Sequence, residues 1–202
     1  MSRDPARAAT QFFGGRVCLD FANTLDWRTS EEPQELIPDF SGLLTWSERR
    51  GTMQGQAVAR LRVLADRDQV GASRVMRNAY ELRRAIWSAA DSVLAGNRIT
   101  LDPFNEQLSR LPPQPRLVPY ARGYAHELAG DRLEQPLWPV LWSLTAVVVS
   151  SDAARIGCCE AKGCGWFFVD ESPNRSRLWC SSEVCGNRER ARRAYARRLA
   201  EL

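Results

Sequence analysis

The sequence predicts a mainly α-helical fold, in which a helical N-terminal domain over residues 1–154 precedes a small C-terminal module over residues 155–202. Apolar residues recur at helical spacing through much of the first three quarters of the chain, which indicates amphipathic helices. Five of the six cysteines lie within residues 158–185, in a segment that fits a short β-hairpin. The chain ends in a run rich in Ala, Arg and Leu, and these strong helix formers predict a terminal helix.

Start and stop signals place the elements of the N-terminal domain in order. A turn is expected at Gly14-Gly15, Asp39 is the expected N-cap of the second helix, and Gly51 is its expected end. Several prolines between residues 112 and 119 interrupt the helical pattern. The expected helices cover residues 17–27, 40–50, 52–68, 73–95, 102–111 and 137–154, and an extended hairpin covers 117–126.

Composition places the chain among ordinary globular proteins. Hydrophobic residues make up 44% of its 202 residues and charged residues 26%, which excludes a disordered chain. The longest strongly apolar stretch, residues 137–149, contains Pro139 and is too short to span a bilayer. Residues 1–10 have no apolar core, so we expect no signal peptide. We therefore expect a cytoplasmic protein without a membrane segment, in which the cysteines are reduced.

The C-terminal cysteines form two matched pairs, Cys159-x4-Cys164 and Cys180-x4-Cys185, with 15 residues between them. Each pair can bind one ion from a short loop, and the intervening residues fit a hairpin that brings the two loops together. Four sulfur ligands leave no open coordination position, so we predict one structural Zn²⁺ per chain. A cluster of buried free thiols is the alternative, and Cys158 is an alternative ligand to Cys159.

Several stretches around these cysteines are distinctive: CEAKGCGWFFVD at 159–170, NRSR at 174–177, WC at 179–180 and CGNR at 185–188. Together they resemble the CGNR zinc finger, and GGRVCLDFANT at 14–24 resembles the opening of the ABATE domain that usually precedes this finger. Leu178 and Ser182 depart from the family pattern, where Arg and Met are common, and the first departure removes one candidate phosphate contact, which slightly weakens the nucleic-acid interpretation. The resemblance implies a bacterial stress-induced transcription regulator with a zinc module that binds DNA.

The net positive charge lies in the C-terminal module. Residues 1–154 hold 18 Lys+Arg and 18 Asp+Glu, whereas residues 155–202 hold 10 and 6, which accounts for the net charge of +4. This placement favours a polyanionic partner, and a solvated helix face is the alternative. The candidate nucleic-acid contacts are Arg175, Arg177, Arg188, Arg190, Arg193 and Arg197.

The terminal helix is expected over residues 188–202, with Asn187 as its N-cap. One face is apolar, and we expect it to dock against the module. That face comprises Ala191, Tyr195, Leu199 and Leu202. The opposite face carries guanidinium groups, which suit phosphates and guanine edges, at Arg190, Arg193 and Arg197.

The expected first helix carries four residues at helical spacing that are candidates for a small-molecule pocket in a sensor domain. They are Asp20, Asn23, Thr24 and Trp27. In the alternative interpretation, Asn23 and Thr24 satisfy buried backbone groups. Asp20 then caps the chain locally or pairs with Arg16.

The sequence favours a DNA-binding transcriptional regulator, whose N-terminal domain responds to a small-molecule effector or mediates homodimerisation. The alternatives are a zinc-stapled protein-interaction module without a DNA-binding role and an RNA-binding protein. We expect no enzyme, because His126 is the only histidine and no nucleophile elbow, phosphate loop or paired carboxylates are found. We also expect residues 1–154 to fold alone, since their charge is balanced and their helices can bury a shared core.

Overall fold

A computed structural model describes residues 11–109, 116–120, 123–127 and 132–200. Leu202, the side chain of His126 and the end of the expected helix at residues 110–111 lie outside these described parts. The fold is mainly α-helical, as the sequence predicts. Within the described ranges, no helix combines the length and the apolar character that crossing a bilayer requires.

The helices and strands of the described residues follow one another in a simple order. The helices are α1 (Val17–Ala22), α2 (Phe40–Arg49), α3 (Gly55–Arg67), α4 (Gln69–Leu94), α5 (Asp102–Leu108), α6 (Trp138–Val148) and α7 (Asn187–Ala200). The strands form antiparallel pairs: β1 (Leu25–Asp26) with β2 (Gln34–Glu35), β3 (Arg116–Tyr120) with β4 (Gly123–Glu127), and β5 (Ile156–Cys158) with β6 (Phe167–Val169).

α1 and α6 are much shorter than predicted, while α3 begins three residues later and α4 four residues earlier than expected. α1 ends at Ala22 rather than at residue 27, because Thr24 Oγ1 donates to the carbonyl of Phe21 at 2.7 Å and the chain then enters β1. The candidate pocket residues therefore do not share one helical face. α6 ends at Val148, and a short 3₁₀ segment, Ala153–Arg155, replaces the last residues of the expected helix and leads into β5.

The predicted ends of α2 are confirmed. Asp39 accepts a hydrogen bond from the N–H of Gly42 at 2.7 Å. Gly51 follows the helix with a φ of 75°, a left-handed conformation that favours glycine. α4 begins in the same way, since Asp68 accepts from the N–H of Gly71 at 2.8 Å. These caps satisfy N–H groups that have no partner within the helix.

α1 lies at the centre of the hydrophobic core and packs against both α4 and α6. Leu19 and Phe21 of α1 are almost completely buried. The segment before α1 approaches the helix so closely that a Cβ on Gly14 would lie 2.8 Å from the backbone nitrogen of Asp20. The facing side chains on α4 and α6 include Val75, Leu82, Ile86, Val140, Leu141 and Leu144.

The same core continues into the C-terminal module. Phe167 and Val169 of β6 are buried in the cluster that contains α1. The side chain of Asn23 accepts from the N–H of Phe167 at 2.8 Å and donates to its carbonyl at 2.9 Å. The N–H of Val169 donates to the carbonyl of Gly14 at 3.0 Å. The core thus crosses residue 154, and the independent folding of residues 1–154 stays a prediction.

We expect Phe167→Ala to lower the free energy of unfolding of the α1–α6 helices by about 3–5 kcal/mol, the usual cost of truncating a buried phenylalanine. Guanidinium denaturation followed by far-UV circular dichroism measures this effect, since most of the signal comes from these helices. Val149→Ala is the control, because Val149 is 85% exposed. If the helices of the Phe167 variant unfold at the same denaturant concentration as those of wild type, the helical domain is stable without the packing of the C-terminal module.

Candidate metal centre

Four cysteine sulfurs converge in the C-terminal module. The Sγ atoms of Cys159, Cys164, Cys180 and Cys185 all lie within 4.8 Å of one another, and the four residues are buried. Neighbouring sulfurs are 3.8 Å apart for Cys164 and Cys180, 3.4 Å for Cys180 and Cys185, and 3.7 Å for Cys185 and Cys164. Tetrahedral zinc with Zn–S bonds of about 2.3 Å requires sulfurs roughly 3.8 Å apart. The donor set fits one structural Zn²⁺, as the spacing predicts.

The two cysteine pairs lie on different kinds of loop. The first pair lies in the loop of the β5–β6 hairpin, where the N–H of Cys159 donates to the carbonyl of Trp166 at 2.8 Å. In the second pair, Cys180 precedes a helical turn, Ser182–Gly186, that contains Cys185. The two strands of the hairpin therefore flank Cys159 and Cys164 in sequence. The expected hairpin, formed by the residues between Cys164 and Cys180, is not the one observed. β6 lies there because its residues pair with β5, with Phe167 and Val169 in the main core and Phe168 in the cluster of the four cysteines.

The other two cysteines lie outside the four-sulfur cluster. Cys158 is the last residue of β5 and is half-buried. Cys18 of α1 is completely buried, and burial raises the pKa of its thiol to about 11. A neutral thiol in that position acts as a small apolar core side chain.

The helical domain contacts the first cysteine loop directly. The N–H of Arg28 donates to the carbonyl of Cys164 at 3.1 Å, and its Nε donates to the carbonyl of Gly165 at 3.1 Å. Gly165 has a φ of 67°, and a Cβ there would lie 2.5 Å from the side chain of Thr29. Glycine after the cysteine therefore allows the close approach of the two parts of the chain.

Arg188 links the zinc site to the helical domain. Its Nη2 donates to Cys185 Sγ at 3.6 Å, and its guanidinium carbon lies 4.3 Å from the centre of the Trp27 ring. Four thiolates around Zn²⁺ carry a net negative charge, so a cation in contact with one sulfur stabilises the site. Trp27 has a φ of 54°, which is uncommon for a bulky residue.

The predicted nucleic-acid residues Arg177 and Arg175 contact backbone oxygens of the protein. Arg177 lies 4.2 Å from the centre of the Phe168 ring, and Arg175 Nη1 donates to the carbonyl of Ala154 at 3.4 Å. The acceptors for the Arg177 guanidinium are the carbonyls of Phe13, Val169, Trp179 and Cys180. Arg177 thus ties the hairpin to the second cysteine loop, and a nucleic-acid role for either arginine stays a prediction.

Asp20, the first candidate pocket residue, is buried and bonded within the protein. It accepts from the N–H of Gly14 at 2.8 Å and from Arg50 Nε at 2.7 Å. Burial raises the pKa of its carboxyl group, and these two contacts oppose the rise. Of the two roles expected for Asp20, a local cap and a pair with Arg16, the bond to Gly14 fits the first, whereas Arg16 contacts Asp152 at 2.7 Å.

The other candidate pocket residues also have protein partners. Asn23 bonds to the Phe167 backbone, and Thr24 Oγ1 accepts from Arg83 Nη1 at 2.9 Å. Trp27 contacts Arg188. Such contacts within the protein agree with the alternative interpretation, in which these polar residues serve local hydrogen bonding. A ligand pocket at these residues stays a prediction.

α7 does not begin with Asn187 as its N-cap. Asn187 already has helical backbone angles, and the preceding turn runs directly into the helix. Ser181 caps this turn by accepting from the N–H of Val184 at 3.2 Å. Because Cys185 lies within the turn, zinc binding fixes the start of α7.

The expected docking of the apolar face of α7 is also wrong. Tyr195 is 65% exposed and Leu199 55% exposed. The helix is held by its first turn, where the buried Glu189 accepts from the N–H of Lys162 at 3.2 Å and from Arg192 Nε at 2.9 Å. These bonds also hold the pKa of Glu189 below its usual value, mainly through Arg192. The remainder of α7 is consequently left exposed.

Two residues that position the site were not found by sequence reasoning. Glu189 is the single acidic residue of α7 among six arginines, a signal that could have marked it as an anchor. Arg28 follows no motif, and its contacts with the first cysteine loop join residues more than a hundred positions apart. The contacts that these two residues make are visible only in the tertiary structure.

We expect Cys180→Ser to lose zinc and unfold the C-terminal module, because metal binding and folding are coupled at closed structural sites. Cys158→Ser is the matched control and should retain one zinc per chain. Native mass spectrometry of both variants under reducing conditions measures the stoichiometry. Zinc loss from the Cys158 variant as well would place that sulfur in the site, and wild-type protein without metal would contradict the site altogether.

We expect Asn23→Ala to lower the free energy of unfolding by about 2–5 kcal/mol, because it leaves two buried backbone groups of Phe167 without partners. Asn97→Ala, at an exposed position, should change it little. Urea denaturation of the two variants provides the comparison. An Asn23 variant of unchanged stability would contradict the structural role and favour the pocket interpretation.

Comparison with known families agrees with this geometry. Residues 155–198 match the CGNR zinc finger model. Residues 15–151 match the ABATE model, whose description is "Putative stress-induced transcription regulator". A search of curated proteins finds no match. Since the two models together account for nearly all of the chain from residue 15 onward, this protein belongs to the ABATE family and carries a C-terminal CGNR zinc finger.

Proposed function

We propose that this protein is a DNA-binding regulator of transcription, and that α7 is the element that contacts DNA. The family and the zinc site support a regulator. The observation that carries DNA binding is the surface of α7, which holds six arginines against the single acidic residue Glu189. We further propose that the protein is cytoplasmic and has no catalytic activity of its own.

The arginines of α7 differ in whether the protein already binds them. Arg190, part of the predicted row, donates to the carbonyl of Ser182 at 3.1 Å and lies 5.7 Å from the centre of the Trp179 ring. Within the described residues of α7, three arginines have no hydrogen-bond or ion-pair partner, namely Arg193, Arg197 and Arg198. Their guanidinium groups are free to bind phosphate oxygens through charge-assisted hydrogen bonds.

The rest of the protein supports this helix from one end. Cys185 and Glu189 hold its first turn. From the helical domain, Trp27 contacts Arg188 of α7, and Arg28 contacts the first cysteine loop. Through these contacts, a change in the helical domain can reach α7. They support the proposal that the helical domain influences DNA binding when the domain binds an effector or forms a homodimer.

We expect the triple variant Arg193→Ala/Arg197→Ala/Arg198→Ala to bind duplex DNA more weakly than wild type. The slope of log K against log salt should decrease in magnitude by up to about 3, since each phosphate contact contributes roughly 0.9. Fluorescence anisotropy at several salt concentrations measures this slope. The matched control removes three exposed arginines of the helical domain, Arg67, Arg77 and Arg84, and should leave the slope nearly unchanged.

Wild-type protein without salt-dependent affinity for duplex DNA would contradict the proposal. The same helix would then support a zinc-stapled protein-interaction module. Tighter binding to RNA than to DNA of the same sequence would instead favour the RNA-binding alternative.

A further inference from the structure

We infer that α7 lies lengthwise in the major groove of duplex DNA, with its apolar face directed at thymine methyl groups. This inference rests on the proposed function and adds the groove, the orientation of the helix and the base edge that it contacts. The apolar face consists of Ala191, Tyr195 and Leu199, which recur every four residues. The inference depends on the exposure of this face and on the positions of the arginines around it.

The outer part of α7 is exposed on nearly every side. Within residues 190–200, Ala194 alone is half-buried and the others are exposed. These 11 residues span roughly 16 Å of helix, about the length of five base pairs. The major groove is about 12 Å wide, which admits an α-helix, whereas the minor groove is about half as wide. The exposed part of α7 therefore has the dimensions of a groove-binding helix.

Four arginines in the outer part of α7 are arranged symmetrically about Tyr195, and the fifth, Arg190, already donates to the carbonyl of Ser182. At about 100° per residue, Arg192 and Arg198 lie about 60° to either side of Tyr195, and Arg193 and Arg197 lie about 160° to either side. Of these four, each side of the helix therefore carries one arginine near the apolar face and one near the back. A helix that binds a flat acidic surface needs arginines only on the face that meets this surface. A helix in a groove of DNA lies between two phosphate strands, one on each side of the helix.

The apolar face fits the floor of that groove. Tyr195 is 65% exposed and Leu199 is 55% exposed, so both can lose contact with water on binding. The thymine methyl group is the apolar feature of the major groove. Pairing of this face with α7 of a second copy is disfavoured, because the flanking arginines of the two helices would repel one another.

Arg192 is the one member of the two arginine pairs that already has an ionic partner. Its Nη2 lies 2.8 Å from Glu189, but its side chain is 58% exposed. The Glu189 carboxylate is buried and is bound by both Nε and Nη2 of Arg192, so this contact is kept, and Nη1 is the group of Arg192 that remains for a phosphate. Arg192 can therefore act together with Arg193 on one strand, while Arg197 and Arg198 contact the other.

The test compares an alternating dA·dT duplex of about 20 base pairs with the same duplex containing uracil, which lacks only the 5-methyl group. We expect wild-type protein to bind the thymine duplex more tightly by anisotropy, by about fourfold for each methyl group buried. Tyr195→Ala should lose most of this preference, and Tyr195→Phe should keep it. Leu101→Ala, at a residue that is 53% exposed, is the control.

A second measurement tests the two sides of the helix. Arg193→Ala and Arg197→Ala, which remove one partnerless arginine from either side of the helix, should each reduce the magnitude of the salt slope by up to about 0.9, and by similar amounts. Zinc content and thermal melts confirm that each variant is folded.

The outcomes separate this inference from the proposed function. No salt-dependent binding to either duplex would overturn both. Salt-dependent binding with equal affinity for the thymine and uracil duplexes would overturn the inference alone. An effect confined to one of these two arginine variants, or tighter binding to the single strand than to the duplex, would also overturn it.

Discussion

Convergence of four sulfurs on one metal ion is the constraint on which the C-terminal part of the structure depends. The ion joins the loop of a hairpin with three residues per strand to the helical turn that begins α7. A hairpin of this size is not stable alone, and an exposed arginine-rich helix gains no stability from packing. The direction in which α7 leaves the protein is therefore set by the position of Cys185 and by the contacts of Glu189 beside it.

The zinc finger is not a separate module joined by a flexible linker. Phe167 and Val169, which lie between the two cysteine pairs in sequence, are buried in the core that α1 organises. Asn23 bonds to both polar backbone groups of Phe167, and Arg28 bonds to the loop of the first cysteine pair. We therefore expect metal binding to stabilise more than the finger, because ligand binding to a native state stabilises everything that folds cooperatively with it. The same contacts give the helical domain a physical route to α7.

Features that depend on neighbouring residues could be predicted from the sequence. The spacing of Cys159, Cys164, Cys180 and Cys185 identified the metal site because each pair lies on one short loop. The Asp39 cap and the end of α2 at Gly51 followed from local backbone chemistry.

Features set by distant contacts could not be predicted in this way. Helical spacing placed Asn23 and Trp27 on one face, but the side chain of Thr24 and the pairing of β1 with β2 end α1 before that face forms. Periodicity also identified the apolar face around Tyr195 without showing whether anything covers it. The partner of Asp20 proved to be Arg50, thirty positions away, and no local pattern specifies that choice.

The proposal that the metal site holds α7 in place to bind DNA is tested most directly by the zinc dependence of DNA binding. One duplex is titrated with zinc-bound protein, with protein stripped by a chelator, and with stripped protein to which Zn²⁺ has been returned, with anisotropy read at fixed salt. We expect the affinity to fall when zinc is removed and to return with the metal. Stripped protein that binds the duplex with unchanged affinity and salt dependence would contradict this relation between the zinc site and DNA binding.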